Sequence, residues 1–439
     1  MTNPIIIKKK IKPFNKTIYV SGDKSLSIRW ALLASQAKGK SRAYNILRSE
    51  DVVSTLNCLK KLGTKVILKR KYCEIEGLGL NSFKNKKNLV LDAGNSGTLS
   101  RLIVGLLVHY KNKVKIIGDK SLSKRDFSRI IIPLKKFGAK FKYKHKFKLP
   151  LIVGGSKNLK SIKYYEKKGS AQCKSSVMLA ALNTKGETYI KAKKSRDHTE
   201  ILFKYLKIPI LVKKKKTFDI IRIKGGYQFN GFNYHIPSDI SSSAFFIVLT
   251  LLAKKSKLTI KNVNINPSRI GIVTILKKMG ARISFKNKKV INGEKVADIL
   301  VKSTEKVNPI KCPKNLNSQA IDEFLLIFLV AAKANGISTF SDLSELNQKE
   351  SPRLMLGSKI LNMMGIKTNL TNSSIKIFGN PDVKIKNIIK IKDYLKDHRI
   401  FMMSMVSALT VGGHWKLYDP DSIKTSFPSF LELIDNLRN

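Results

Sequence analysis

The densest set of chemically useful side chains lies near the start of the chain, in Ser21-Gly22-Asp23-Lys24-Ser25-Leu26-Ser27-Ile28-Arg29. Read as a helix start, this run puts Lys24, Ser25 and Arg29 on the first turns, with Ser25 and Arg29 on one face at i,i+4. A lysine point charge, a hydroxyl and a guanidinium fork together make a clamp for phosphate or carboxylate. A plain helix cap explains the serine, glycine and aspartate but not the cations inside the cap. Other polar turns repeat the theme. Residues 169–176 offer Ser170, Gln172 and Ser175, and Ser195-Arg196-Asp197-His198 follows. Acids are scarce in this chain, so those beside helix starts stand out: Asp322 and Glu323, Glu350 within Lys349-Glu350-Ser351-Pro352-Arg353, and Asp397 of Asp397-His398-Arg399. A carboxylate held among cations can serve as a general base; the alternative is a first-turn acid favoured by the helix dipole. Ser351 as N-cap with Pro352 as first helical residue is good start chemistry.

The elements that must position these groups recur. A Gly/Ser/Asp cluster followed by an apolar helix pattern begins at Gly22, Gly94, Gly169, Ser238, Ser318 and Lys396, spaced by 72, 75, 69, 80 and 78 residues. A second signal keeps the same beat: LKKLGTKVIL, LKKFGAKFKY, LKKMGARISF and LNMMGIKTNL each end a helix and open a strand. Gly63, Gly138, Gly280 and Gly365 sit where a left-handed C-cap belongs, whereas the matching FKYLKIPILV has no glycine. Each unit therefore supplies helices and short strands, an α/β pattern. Three units make one domain, so the expectation is two similar domains, residues 22–236 and residues 237–439 completed by residues 1–21. Their helix starts would face one another across a cleft, offering unpaired N–H groups to anions.

Composition limits the options. Of the 439 residues 43% are hydrophobic, too many for a disordered chain. The longest apolar runs, Phe324–Ala332 and Phe245–Ala253, are half the length of a membrane span. The formal net charge of +56 admits nucleic acid, anionic membranes or small anions as partners. Its carriers are 71 lysines and only 14 arginines, spread through every segment, which resembles a compositional bias more than a nucleic-acid patch. The four cysteines and six histidines are dispersed without metal-ligand spacing, and no signal-peptide core follows Met1, so a reducing cytoplasm is expected. No Walker A run, G-x-S-x-G elbow or strand-linked G-x-G-x-x-G occurs.

Taken in order, GDKSLSIR, GNSGT, GSAQCKS, SRDHTE, NPSRIG, GEKVADI, IDEF, KES-x-R, DHRI and TSFPSF resemble the 3-phosphoshikimate 1-carboxyvinyltransferase (EPSP synthase) family from about Val20 to Phe430. The resemblance implies two inside-out α/β domains of three units each, with the active site in the cleft between them. It implies transfer of the enolpyruvyl group of phosphoenolpyruvate to the 5-hydroxyl of shikimate 3-phosphate, without a metal or organic cofactor, by a cytoplasmic monomer with no specific nucleic-acid or membrane partner. Carried over by position, Lys24, Ser25, Arg29, Ser170, Gln172, Ser195, Asp322 and Lys349 would bind shikimate 3-phosphate. Lys24, Gly97, Arg125, Gln172, Lys349, Arg353 and Arg399 would bind phosphoenolpyruvate. Asp322 would be the proton acceptor, with Glu350 and Lys24 as the other catalytic groups. The chain departs from the family pattern at Ile28, Leu102, Ala171, Asn347, Gln348 and Pro352, and Thr425 rather than Lys424 aligns with a lysine of some members. A sister transferase acting on UDP-N-acetylglucosamine commonly carries a cysteine in the loop matching Gly118–Arg129, where this chain has none. A basic nucleic-acid-binding protein is the alternative from another class, expected to show salt-sensitive binding only.

Overall fold

Five of the six Gly/Ser/Asp clusters start a helix directly, namely Lys24–Ala34, Gly97–Leu106, Ala171–Leu182, Ile240–Leu252 and His398–Val411. In each, one side chain of the cluster caps the helix by accepting a backbone N–H: Asp23 from Leu26, Ser96 from Leu99, Ser170 from Cys173, Asp239 from Ser241 and Asp397 from Arg399. The cluster at Ser318 behaves differently. A short helix, Asn317–Ala320, stops, a turn carries Asp322 and Glu323, and the chain restarts as Phe324–Ala332 without a side-chain cap. These six helices are buried on nearly every side, which is why their sequences lack the polar stripe of a surface helix.

A second set of helices carries the charged faces. Glu50–Lys61 has Glu50 and Asp51 in its first turn and Lys60 and Lys61 in its last, matching the helix dipole at both ends. Gly63, Gly138, Gly280 and Gly365 follow helices of this set with φ of +91°, +110°, +92° and +84°. The unit without the glycine adopts the same turn: Lys207 has φ +57°, so the left-handed position is kept and a side chain bears it.

This computed structural model of the protein describes residues 3–439, and the assignment of residues 1 and 2 to the C-terminal half lies outside them. The chain forms two compact units. The N-terminal unit holds Gly22–Ile236 with Val290–Glu294, and the C-terminal unit holds the residues up to Ser21 with Pro237–Lys289 and Lys295–Asn439. Each has its own hydrophobic core and, among the described residues, three small sheets.

Within the N-terminal unit one topology occurs three times. Lys38–Tyr44 pairs in parallel with Asn233–His235 and antiparallel with Tyr72–Leu78, which pairs antiparallel with Lys65–Leu68. Lys113–Ile117 pairs likewise with Leu89–Asp92 and Leu151–Gly154, and Gly186–Lys193 with Tyr-rich Lys163–Glu166 and Phe218–Gly225. Strands such as Leu89–Asp92 alternate buried and exposed residues, one face on the helices and one in solvent. Helices inside and sheets outside make this an inside-out α/β fold. In the C-terminal unit Lys257–Asn264 repeats the mixed pairing, parallel to Asn15–Tyr19 and antiparallel to Glu294–Lys302.

One glycine decides how closely two site helices approach. A Cβ on Gly105 would lie 2.3 Å from the carbonyl oxygen of Ser176, so Gly97–Leu106 and Ala171–Leu182 meet backbone to backbone. Among the described residues no helix is long and apolar enough to cross a membrane.

Candidate active site

In the N-terminal unit Lys24 and Arg29, anticipated with Ser25 as an anion clamp, are each engaged by partly or fully buried partners. Arg29 donates from Nε to Thr199 Oγ1 (2.9 Å), from Nη2 to Ser175 Oγ (3.1 Å) and from Nη1 to the Ser25 carbonyl (3.1 Å). Ser175 and Thr199 also bond each other at 2.7 Å, so the guanidinium is gripped by a closed hydroxyl pair. Lys24 Nζ lies 3.0 Å from Asp51 Oδ2 on the Glu50–Lys61 helix. The sequence showed neither Asp51 nor Thr199 as a partner, since both contacts span many residues. Asp51 as one of only 29 acids was the available signal.

Gly97 occupies the first position of its helix, and a Cβ there would sit 2.6 Å from Arg125 Nη1 and 3.3 Å from Arg101 Nη1. A side chain at Gly97 would push on both guanidinium tips beside that helix end, where unpaired N–H groups favour an anion. Gln172 accepts from Arg101 Nη1 (2.6 Å) and donates to Thr98 Oγ1 (2.9 Å), linking the two helix starts. Arg101, absent from the sequence-based set, lies over the Phe127 ring at 5.5 Å. Arg125 Nη2 reaches Asn95 Oδ1 at 3.5 Å. Ser170 caps its helix, and the preceding turn is held by Glu166, whose carboxylate accepts from Lys168 N (3.1 Å) and Gly169 N (2.6 Å). The Ser195 hydroxyl is buried and lacks a hydrogen-bond partner among the described residues. Two motifs that are far apart in sequence meet here as well, for His198 Nδ1 and Glu294 Oε1 are 2.6 Å apart and fully buried.

In the C-terminal unit the other predicted residues form one charged cluster. Asp322 Oδ1 lies 3.2 Å from Lys349 Nζ and 3.5 Å from Arg353 Nη1, and its carbonyl accepts from Arg399 Nη1 at 2.7 Å. Glu350 Oε2 meets Arg353 Nη2 at 2.5 Å. At the centre is Asp397, which takes Arg353 Nε at 2.8 Å and Nη2 at 3.2 Å, Ser351 Oγ at 2.8 Å and the Arg399 backbone N–H at 3.0 Å. Burial opposes the charge on Arg353, yet Asp397 and Glu350 more than offset it and raise its pKa further. Burial would likewise raise Asp397, but Arg353 outweighs it and holds the carboxyl below its ordinary value.

One local reading changes. The helix after Lys349 runs Arg353–Met363, so Pro352 is the N-cap position and Ser351 lies before it. The Ser351 hydroxyl is engaged by Asp397 and caps nothing. Lys424 is exposed and paired with Asp421 at 2.7 Å, whereas its neighbour Thr425 meets His398 Nδ1 at 3.3 Å.

Inner helices whose starts carry lysine, arginine and hydroxyl groups in one unit, and two carboxylates set among cations in the other, mark an α/β protein furnished with the side chains of an enzyme. A family model described as EPSP synthase (3-phosphoshikimate 1-carboxyvinyltransferase) matches residues 8–434. A 3-phosphoshikimate 1-carboxyvinyltransferase of Ruthia magnifica subsp. Calyptogena magnifica is 42% identical over 97% of both chains. The EPSP synthase structure from Acinetobacter baumannii is 34% identical, covers 99% of this chain and 98% of its own, and superposes with a TM-score of 0.86. The enolpyruvyl transferase NikO of Streptomyces tendae shares the fold, with a TM-score of 0.78 at 13% identity over 99% of this chain and 97% of its own. The chain belongs to the EPSP synthase (3-phosphoshikimate 1-carboxyvinyltransferase) family.

Proposed function

We propose that this protein transfers the enolpyruvyl group of phosphoenolpyruvate to the 5-hydroxyl of shikimate 3-phosphate and releases inorganic phosphate. The observation that carries the chemistry is Asp322, a half-buried carboxylate gripped by Lys349 and Arg353 with Glu350 on the far side of the same guanidinium. Two acids held among cations can move protons in opposite directions while the cations hold the anionic substrates.

In the addition step Asp322 takes the proton of the 5-hydroxyl as its oxygen bonds to C2 of phosphoenolpyruvate. Glu350, assisted by Lys24, delivers a proton to C3, giving a tetrahedral intermediate. In the elimination step the C3 proton returns to Glu350, the double bond re-forms and the C2–O bond to phosphate breaks, the departing phosphate oxygen taking the proton held by Asp322. The two substrates carry two phosphates and two carboxylates, so the cations of both units are needed to offset their repulsion. Lys24, Ser25, Arg29, Ser170, Gln172 and Ser195, with Asp322 and Lys349, serve shikimate 3-phosphate. Lys24, Gly97, Arg125, Gln172, Lys349, Arg353 and Arg399 serve phosphoenolpyruvate. The Ser195 hydroxyl, which has no hydrogen-bond partner among the described residues, supports a ligand oxygen on the shikimate side.

The reading takes the protein as a cytoplasmic monomer working without a cofactor, and four free, buried cysteines fit a reducing compartment. Family membership favours neither the UDP-N-acetylglucosamine reaction nor a nucleic-acid-binding role. The test is phosphate release from purified protein, beside Asp322→Ala. Release that needs both substrates and falls by about a hundredfold or more in the variant is the expected result. Release from phosphoenolpyruvate alone, or an unaffected variant, would overturn the reading.

A further inference from the structure

Lys174 is a buried lysine with no part in the reaction derived above. It lies on the Ala171–Leu182 helix, and its Nζ is 2.5 Å from Glu200 Oε1 on the His198–Tyr205 helix, the two side chains being 0% and 4% exposed. Beyond that ion pair no hydrogen bond reaches Lys174 Nζ or either Glu200 oxygen among the described residues. Such a pair is a poor source of stability, because removing two charges from water costs about as much as their attraction returns. Apolar side chains of the same volume would join the helices equally well.

What distinguishes the pair is its neighbours. Ser175 follows Lys174 and Thr199 precedes Glu200, and these two hydroxyls hold each other and the Nη2 and Nε of Arg29. Consecutive helical residues do not face each other, so Lys174 and Glu200 act on that network through the separation and rotation of the two helices. The same lysine bears on the start of its own helix. Its backbone N–H bonds the Ser170 carbonyl at 3.1 Å. Its charge also acts on buried Glu166, which shapes the turn just ahead of Ser170.

We propose that the buried Lys174–Glu200 pair is a positioning element for the shikimate 3-phosphate side of the site, fixing two helices so that Ser175 and Thr199 present Arg29 in one geometry. The inference rests on the functional reading above and extends it to two residues that touch no substrate.

The test uses the full chain with Lys174→Met and Glu200→Met combined, which replaces the charges by apolar side chains of similar length and leaves neither one unpaired. The expected result is a melting temperature close to wild type, KM for shikimate 3-phosphate raised on the order of tenfold, and KM for phosphoenolpyruvate and kcat within about twofold. Arg29→Lys should also cost less in this background than in wild type, since the fork is already misaligned. Glu200→Gln alone leaves the Lys174 ammonium buried without its counter-charge and should melt well below the double variant.

A double variant that melts normally with wild-type KM for shikimate 3-phosphate would sink the proposal. So would a fall in kcat alone, in step with lost folded protein, or an Arg29→Lys penalty identical in both backgrounds. A wild type that never releases phosphate defeats the functional reading and this inference with it. An active wild type with an indifferent double variant defeats the inference alone.

Discussion

Replacing Asp397 by asparagine tests the electrostatic core of the C-terminal unit. The change keeps the shape of the side chain and removes one charge. Oδ2 takes Arg353 Nε and the Ser351 hydroxyl, while Oδ1 takes Arg353 Nη2 and the Arg399 backbone N–H. Whichever way the new amide turns, its NH2 group faces an N–H of Arg353 and one of two charge-assisted bonds is lost. The cap on Arg399 survives in one orientation, since asparagine caps helices as well as aspartate. Arg353 and Asp397 are 2% and 0% exposed, so solvent cannot compensate. Breaking such a pair from one side costs about 3–5 kcal/mol. In a unit of this size that is a drop on the order of 10 °C in melting temperature.

The pH dependence follows from the direction of the shift. Arg353 holds the Asp397 carboxyl below its ordinary 3.8 in the folded protein. A depressed carboxyl contributes stability that is complete above its unfolded value and is lost as pH falls through the folded one. The wild type should therefore lose this contribution below about pH 4, and Asp397→Asn should lack that part of the slope. Trp415 is buried in this unit and Trp30 in the other, so a Trp30→Phe background reports the C-terminal unit by fluorescence. Urea melts from pH 3 to 7 would supply both quantities. A loss below about 1 kcal/mol at neutral pH, or an acid slope identical to wild type, would refute the reasoning.

Two further substitutions have defined outcomes. Gly97→Ala places a Cβ 2.6 Å from Arg125 Nη1 and displaces that guanidinium, so KM for phosphoenolpyruvate should rise about ten- to a hundredfold; an unchanged KM in steady-state assays would count against Arg125 as a ligand. Lys207→Gly relieves a left-handed φ of +57° and should stabilise the N-terminal unit by about 0.5–1 kcal/mol in denaturant melts, after allowing for the greater freedom of glycine when unfolded; destabilisation would show that the lysine side chain matters more than its backbone.

Much of the fold is legible because its cues are local. A helix cap needs only an Asp or Ser within three residues of the N–H it accepts, and a C-terminal glycine needs only the helix before it. So the helix starts at Asp23, Ser96, Ser170, Asp239 and Asp397, and the turns at Gly63, Gly138, Gly280 and Gly365, can be read directly from residue types. Lys207 is the exception that shows the limit. The turn there is imposed by the helix and strand on either side, and no glycine announces it.

Residue types and their spacing are enough to read five of the six repeated helix starts, an α/β chain of two similar halves, and the charged clusters that contain Lys24 and Arg29, Asp322, Glu350 and Arg353, and Arg399. What those side chains face is set by packing. Asp51 beside Lys24, Thr199 and Ser175 around Arg29, Asp397 beneath Arg353 and Glu200 against Lys174 are brought together by packing across 26 to 170 residues of chain. Charge and hydrogen-bond strength depend on separations of a few ångströms, and those are set by how buried helices stack, which no local pattern encodes.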